Sequence, residues 1–83
     1  MPEQSTRVVL AEDDVLPREG LASLLSRSGF EVVGQCGNAE DAMALVRTHR
    51  PGLVLVDIRM PPSYTTEGLD AARGIEQEFP EVA

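Results

Sequence analysis

Several residue types are absent from this sequence or scarce in it. Its 83 residues include no lysine, no tryptophan and only 1 cysteine, Cys36, which cannot form an internal disulfide. Its apolar runs are a few residues long, far below the roughly 20 needed to span a bilayer, and the N-terminus shows no signal segment. The sequence therefore predicts neither a disulfide scaffold nor a membrane protein, and a cytoplasmic location is the default expectation.

Basic residues are also scarce. The 7 arginines are outnumbered by 14 acidic residues, which gives a net charge of −7. Such a charge disfavours binding to a phosphate backbone, so we expect no nucleic-acid binding by these residues. The hydrophobic share of 42% and the charged share of 25% are typical of a globular chain, and the length suits one small domain.

Short apolar segments alternate with segments of helical periodicity. Strands are predicted over 7–11, 30–34 and 53–57, and helices from Val15 to about Ser28, between Asn38 and Pro51, and between Thr66 and Pro80. Asp14, Asn38 and Thr66 stand at the N-cap positions, and glycine or proline follows each helix. The predicted apolar faces of the three helices are Leu21, Leu24 and Leu25; Ala39, Ala42, Met43 and Val46; and Leu69, Ala72, Ile75 and Phe79.

This alternation predicts the fold class. Strands that alternate with helices form right-handed βαβ units and a parallel sheet, so the class is α/β. The first and third strands are apolar at successive positions, which predicts that helices cover both of their faces.

Carboxylates follow two of the predicted strands. Glu12 and Asp13 follow the first, and Asp57 follows the third. In a parallel sheet the carboxyl ends of the strands share one edge, so we expect these three groups to meet if the two strands are neighbours. Their mutual repulsion favours a hard cation such as Mg²⁺, which prefers oxygen ligands. A carboxylate beside such a cation can act as a nucleophile toward phosphorus.

These residues resemble a known family, the receiver domains of two-component response regulators. The resemblance rests on "VVLAEDD" at 8–14, "LVLVDIRMPP" at 53–62 and "EGLDAARGI" at 67–75, and it covers nearly the whole chain from Arg7 onward. The segments "REGLASLL" and "MPPSYTTEGLDAA" look most like receivers of the LuxR/NarL type. The resemblance implies a flavodoxin-like (CheY-like) fold, here its N-terminal (βα)3 portion with strand order 2-1-3.

The resemblance also implies roles for individual residues. Asp57 would be the phosphoacceptor, served by a sensor histidine kinase and Mg²⁺. Asp13 would bind the metal directly, Glu12 would act through water, and the backbone carbonyl of Arg59 would complete the protein ligands. Transcription would be controlled through a DNA-binding output domain that is absent from these residues.

The chain departs from the family pattern at its end. Receivers have a hydroxyl residue after a fourth strand and a lysine after a fifth, whereas this sequence stops at "FPEVA". Residues 1–83 are therefore expected to be an incomplete receiver domain that lacks the last two βα units and is phosphorylated poorly. The third strand would become an exposed edge, which predicts self-association along it or exchange of elements between copies.

Other interpretations stay open. "EDD" can be a solvated acidic turn, Asp57 can cap a turn before the prolines, and the side chain of Arg59 can be merely solvated. A non-catalytic interaction or dimerisation module with the same fold is the main alternative. A phosphohydrolase of the haloacid dehalogenase type needs a second Asp two residues after its nucleophile, where Arg59 stands, so we expect no enzyme.

Overall fold

Three parallel strands and three helices alternate along the part of the chain that the computed structural model describes, residues 5–57 and 67–83. The elements are β1 (Arg7–Ala11), α1 (Val15–Arg27), β2 (Glu31–Cys36), α2 (Ala39–His49), β3 (Leu53–Val56) and α3 (Glu67–Glu78). The sheet has the order β2-β1-β3, and β1 is parallel to both neighbours. The predicted α/β class and the order 2-1-3 are thus confirmed.

Local sequence signals set most helix ends. The Asp14 side chain accepts from the Leu16 backbone N–H and begins α1, which Gly29 follows with a φ of 96°. The Asn38 side chain accepts a 2.8 Å bond from the Asp41 N–H and begins α2. These two predicted caps are confirmed, while Thr66 lies outside the described residues.

The second strand is longer than predicted. It ends at Cys36 and not at residue 34, because its last residues still pair with Leu10 and Ala11 of β1. A bulge makes this possible, since Val8 pairs with Val32 and the next residue of β1 pairs with Gly34. Because of this extra residue, the pairing of β2 with β1 continues to the last residue of β1.

The side of the sheet that faces α2 and α3 carries a closed apolar core. Its buried residues are Val9, Val46, Ile75, Phe79 and Val82. The predicted stripe of α3 is wrong at two positions, because Ala71 is buried where Leu69 and Ala72 were expected to be. Small residues bring the two helices close: a side chain at Gly74 would lie 3.3 Å from the Met43 methyl group. In the N-terminal half of α3 the buried residues, Gly68 and Ala71, thus precede the predicted ones by one position, while Ile75 and Phe79 are buried as predicted.

The side that faces α1 is much thinner. None of the residues of α1 is buried: on its predicted apolar face, Leu21 and Leu24 are exposed, Leu24 at 53%, and Leu25 is half-buried. Residues of β1 from Val8 to Ala11 are buried, as predicted, but all four residues of β3 are only half-buried. The prediction that both faces of β3 are covered is therefore wrong, because β3 is an edge strand with a sparse layer over it.

The outer edge of β3 is partly paired within the chain. Val54 donates a 2.9 Å bond to the Ala83 carbonyl, and Ala83 donates a 3.0 Å bond to the Gly52 carbonyl. The edge position of β3 was predicted correctly, but the edge is not wholly exposed, because the Val54 backbone N–H is paired. None of the helices in the described ranges combines the length and apolar content that a bilayer crossing requires.

Candidate functional site

Acidic residues follow β1 and β3 at the same edge of the sheet. Ala11 is paired with Val56, and the Asp57 backbone N–H donates a 2.8 Å bond to the Ala11 carbonyl. Glu12 and Asp57 therefore leave the sheet side by side. They share a cavity of about 280 Å³ whose other walls are the apolar side chains of Leu10, Ala11, Leu21, Leu55 and Val56.

The backbone of Glu12 is fixed from both sides. Its N–H donates a 2.9 Å bond to the Cys36 carbonyl of β2, and its carbonyl accepts a 3.1 Å bond from Nη1 of Arg18 in α1. Its carboxylate turns toward the start of α1, where Oε2 accepts a 3.0 Å bond from the Asp14 N–H. The acidic loop, defined as residues 12–14, is thus tied to the two neighbouring elements β2 and α1.

The three predicted carboxylates do not form one tight cluster. Within the described residues no three His, Cys, Asp or Glu side chains are grouped so as to hold a metal ion, and the Glu12 carboxylate is engaged by the Asp14 backbone. The metal-binding roles of Glu12, Asp13 and Asp57 therefore stay a prediction. Arg59, whose carbonyl was the fourth predicted ligand, lies outside the described residues.

The donor set nevertheless fits a hard divalent cation. Glu12 and Asp57 line one cavity, Asp13 is the half-buried neighbour of Glu12, and all three offer oxygen. Mg²⁺ usually takes one or two protein carboxylates and completes its octahedron with waters and phosphate oxygens, so a cluster of three is not required. The residue types and their place suit that ion.

Cys36 lies beneath the site and does not contribute a nucleophile. It is buried with Ala11 and Ala42, and its Sγ lies 3.8 Å from the Leu10 carbonyl oxygen. Burial raises the pKa of the Cys36 thiol. The thiol therefore stays protonated near neutral pH.

A comparison with protein families identifies the family to which a chain with this arrangement belongs. Residues 8–83 match the model of the response regulator receiver domain. The chain belongs to the response regulator receiver family. The predicted resemblance is thus confirmed.

Curated relatives of this receiver include regulators of transcription. The chain is 42% identical over 69 residues to the transcriptional regulatory protein PdtaR of Mycobacterium tuberculosis, covering 83% of this chain and 32% of that protein. It is 35% identical to the transcriptional regulatory protein DegU of Brevibacillus brevis, covering 96% of this chain and 33% of that protein. The receiver thus spans about a third of the length of these relatives. Another relative, 30% identical over 88% of this chain and 20% of its own length, is a protein-glutamate methylesterase/protein-glutamine glutaminase of Hahella chejuensis.

Solved structures share the fold of this receiver. A two-component response regulator of the LuxR family from Aurantimonas superposes with a TM-score of 0.84 at 30% identity, covering 95% of this chain and 55% of that one. The anti-anti-sigma factor PhyR of Bartonella quintana, solved with the anti-sigma factor NepR, superposes with a TM-score of 0.82 at 27% identity. That match covers 89% of this chain and 30% of PhyR.

Two residues of this site were not identified from the sequence. Arg18 contacts the acidic loop, and Gly37 leaves room for its guanidinium group. The available signal was the position of Arg18, a cation close to the start of a helix, where the helix dipole disfavours positive charge. A positive charge near the start of a helix indicates that another contact compensates for this unfavourable position.

Proposed function

We propose that this receiver accepts a phosphoryl group on Asp57 from the phosphohistidine of a sensor histidine kinase. The observation that carries the proposal is the pairing of the Asp57 backbone with Ala11, which brings Asp57 and Glu12 to one cavity. A carboxylate oxygen of Asp57 forms the new O–P bond while the P–N bond of the donor breaks, and the imidazole leaves. The half-buried position of Asp57 leaves its oxygens within reach of a donor.

The surroundings of Asp57 suit this transfer. Leu21 and Leu55 line the cavity and lower the effective dielectric beside the carboxylates, which strengthens charge interactions there. Oxygens of Glu12, Asp13 and Asp57 would hold Mg²⁺, and the Arg59 carbonyl is proposed as a further ligand. When bound, Mg²⁺ offsets the negative charge on the phosphoryl oxygens.

The output that we propose for this receiver is control of transcription. Its curated relatives PdtaR and DegU are named as transcriptional regulatory proteins, and the receiver covers 32% and 33% of their lengths. A DNA-binding domain outside these 83 residues would supply the contacts with DNA, since the net charge of −7 does not suit that role. In this proposal residues 1–83 are one part of a receiver domain and have no enzymatic activity of their own.

A phosphorylation assay tests the proposal. The chain is incubated with acetyl phosphate and Mg²⁺, and intact mass is measured before and after removal of the metal with a chelator. We expect one added phosphoryl group that needs Mg²⁺ and disappears in Asp57→Asn. The matched control is Asp70→Asn, which makes the same chemical change on the exposed surface of α3 and should leave phosphorylation intact. Equal phosphorylation of Asp57→Asn and the natural chain would disprove the proposal.

A second candidate function is self-association through the edge of β3. Two observations favour it: among the described residues only Ala83 pairs with that edge, and a groove of about 470 Å³ opens between β3 and α3. The groove is lined in part by Val54, Val56, Leu69 and Ala72, and apolar surface of this kind favours association. Light scattering over a range of concentrations tests it, with Val56→Lys expected to abolish any dimer. A monomer at the highest concentration would exclude this candidate.

A further inference from the structure

Arg18 occupies an unfavourable position for a cation. It is the fourth residue of α1, close to the positive end of the helix dipole, and no acidic residue of the first turn compensates it. No carboxylate among the described residues lies within ion-pair distance of its guanidinium group, since the salt bridges found there involve other arginines. Its guanidinium group instead donates a 3.1 Å bond from Nη1 to the Glu12 carbonyl oxygen.

This bond completes the support of the acidic loop. The Glu12 N–H is bound to β2 through the Cys36 carbonyl, and without Arg18 the Glu12 carbonyl would lose its charged donor. A rotation of the peptide unit that follows Glu12 would carry the Asp13 backbone with it. The contact therefore controls how the two carboxylates are directed at the end of β1.

Gly37 provides independent support for this geometry. A Cβ atom at Gly37 would lie 3.2 Å from Arg18 Nη1 and 3.7 Å from the Asp13 Cα atom. The turn between β2 and α2 therefore approaches both the guanidinium group and the acidic loop closely. Only a residue without a side chain leaves the guanidinium group undisturbed in its present position.

We propose that Arg18 is a positioning residue that fixes the backbone of the acidic loop beside Asp57, so that the loop can present its carboxylates to a divalent cation. This inference rests on the proposed function. Arg18 acts through the Glu12 carbonyl and does not touch the cation or the phosphoryl group. Its positive charge by itself opposes cation binding, so the positioning effect and the charge effect have opposite signs and can be separated.

Three variants separate the two effects. Arg18→Gln removes both the charge and the guanidinium donor, Arg18→Lys keeps the charge with a single ammonium group, and Gly37→Ala keeps the charge but displaces the guanidinium group. The controls are Arg27→Gln, which removes an exposed charge from the last turn of the same helix, and Gly20→Ala, where a Cβ atom meets nothing within 4 Å.

Binding of Mg²⁺ alone is measured first, from the backbone amide shifts of residues 12–14 and Asp57 in nitrogen-15 NMR spectra. We expect Arg18→Gln to raise the Mg²⁺ concentration at half-saturation about tenfold, the lower end of the range for groups that orient metal ligands. Gly37→Ala should shift it in the same direction by less, Arg18→Lys should restore part of the loss, and the controls should match the natural chain. Unchanged or tighter binding in Arg18→Gln would overturn the inference.

Two further readouts distinguish a positioning role from lost stability and from a failed functional proposal. With acetyl phosphate, the Mg²⁺ dependence should shift while the rate at saturating Mg²⁺ is kept, whereas partial unfolding would lower the saturating rate. Without metal, amide hydrogen exchange at Glu12 and Asp14 should accelerate in Arg18→Gln and not in Arg27→Gln. If the natural chain is not phosphorylated, the proposed function fails, but this exchange result still decides whether Arg18 holds the loop. Equal exchange in both variants would overturn the positioning role.

Discussion

The two sides of the sheet differ in how completely they are covered. On the α2–α3 side, residues from both helices and from the C-terminal segment meet Val9 in a closed core. On the α1 side, the single helix has no buried residue, and Leu16 and Leu24 are exposed at 78% and 53%. Since apolar burial is the main favourable term in folding, most of the stability should come from the α2–α3 side.

The candidate site lies toward the thin side. Leu21 of α1 and Leu55 of β3 form walls of the cavity that holds Glu12 and Asp57, and Arg18 of α1 holds the acidic loop. Segments that bind or respond to ligands are commonly the least stable parts of a fold, because they must change conformation at low cost. We therefore expect the closed core to be the more rigid part and the α1 side to open more readily.

Truncation at the closed core should have the largest effect. Phe79 is 3% exposed and packs in the core while Arg50 lies 4.3 Å from its ring centroid. We expect Phe79→Ala to lower the free energy of unfolding by about 3 to 5 kcal/mol, whereas Leu24→Ala on α1 should change it by less than about 0.5 kcal/mol. Urea unfolding followed by far-UV circular dichroism measures both values.

The expected loss at Phe79 is comparable with the whole stability of a domain of this length, on the order of 5 kcal/mol. Ile75→Val is therefore the second variant for the core, with an expected loss of about 1 kcal/mol. A loss at Leu24 as large as that at Phe79 would refute the comparison. It would mean that the α1 face is covered in solution, as it would be in an oligomer.

Adding a methyl group at a glycine should change the free energy of unfolding by less than truncation of the core does. The direction of the change should again differ between the two sides of the sheet. A Cβ atom at Gly34 would lie 3.0 Å from Leu45 Cδ2, while one at Gly20 in α1 meets nothing within 4 Å. We expect Gly34→Ala to destabilise the chain by about 1 to 2 kcal/mol through overpacking, and Gly20→Ala to stabilise it by about 0.5 to 1 kcal/mol through helix propensity. The same urea titrations test both signs, and a stabilising Gly34→Ala would show that Leu45 has free space to move.

Local patterns in the sequence predicted the elements, two caps and the neighbouring positions of Glu12 and Asp57. These features depend on residues close in sequence and on the general geometry of parallel sheets. The bulge that extends β2 to Cys36 was not predictable, because it depends on which residues of β1 lie opposite. The same holds for the burial of Ala71 in place of Ala72, which depends on how α3 packs against α2, where Gly74 comes close to Met43.

The candidate site was also predicted only in part. Strand order gave the place of the carboxylates but not their directions, and the Glu12 carboxylate turns to the Asp14 N–H. The role of Arg18 was not predicted, because its partner is a backbone carbonyl, a group that every residue type carries. In general, a contact between a side chain and the backbone of another element cannot be predicted from residue identities.

Ion pairing across α2 and α3 should contribute least, and it tests whether the α2–α3 side is held by apolar packing alone. Arg47 Nε lies 3.1 Å from Glu78 Oε2, and both side chains are about half exposed. The side-chain hydrogen bond from Arg47 lowers the pKa of Glu78. Because the pKa in the folded state is depressed, the stabilisation is present above the unfolded value of about 4.3 and is lost as the pH falls through the folded value.

Glu78→Gln isolates this contribution. We expect the difference in urea midpoint between the natural chain and Glu78→Gln to be small and positive at pH 7 and to vanish once the pH lies below the lowered pKa of the folded state, since the carboxyl group is then protonated in both states. Glu76→Gln, on the exposed surface of the same helix, makes the same chemical change and is the matched control. A difference in urea midpoint that persists at low pH would show that Glu78 stabilises the fold through packing of its side chain. A large difference at pH 7 would show that the ion pair, and not apolar packing alone, stabilises the α2–α3 side.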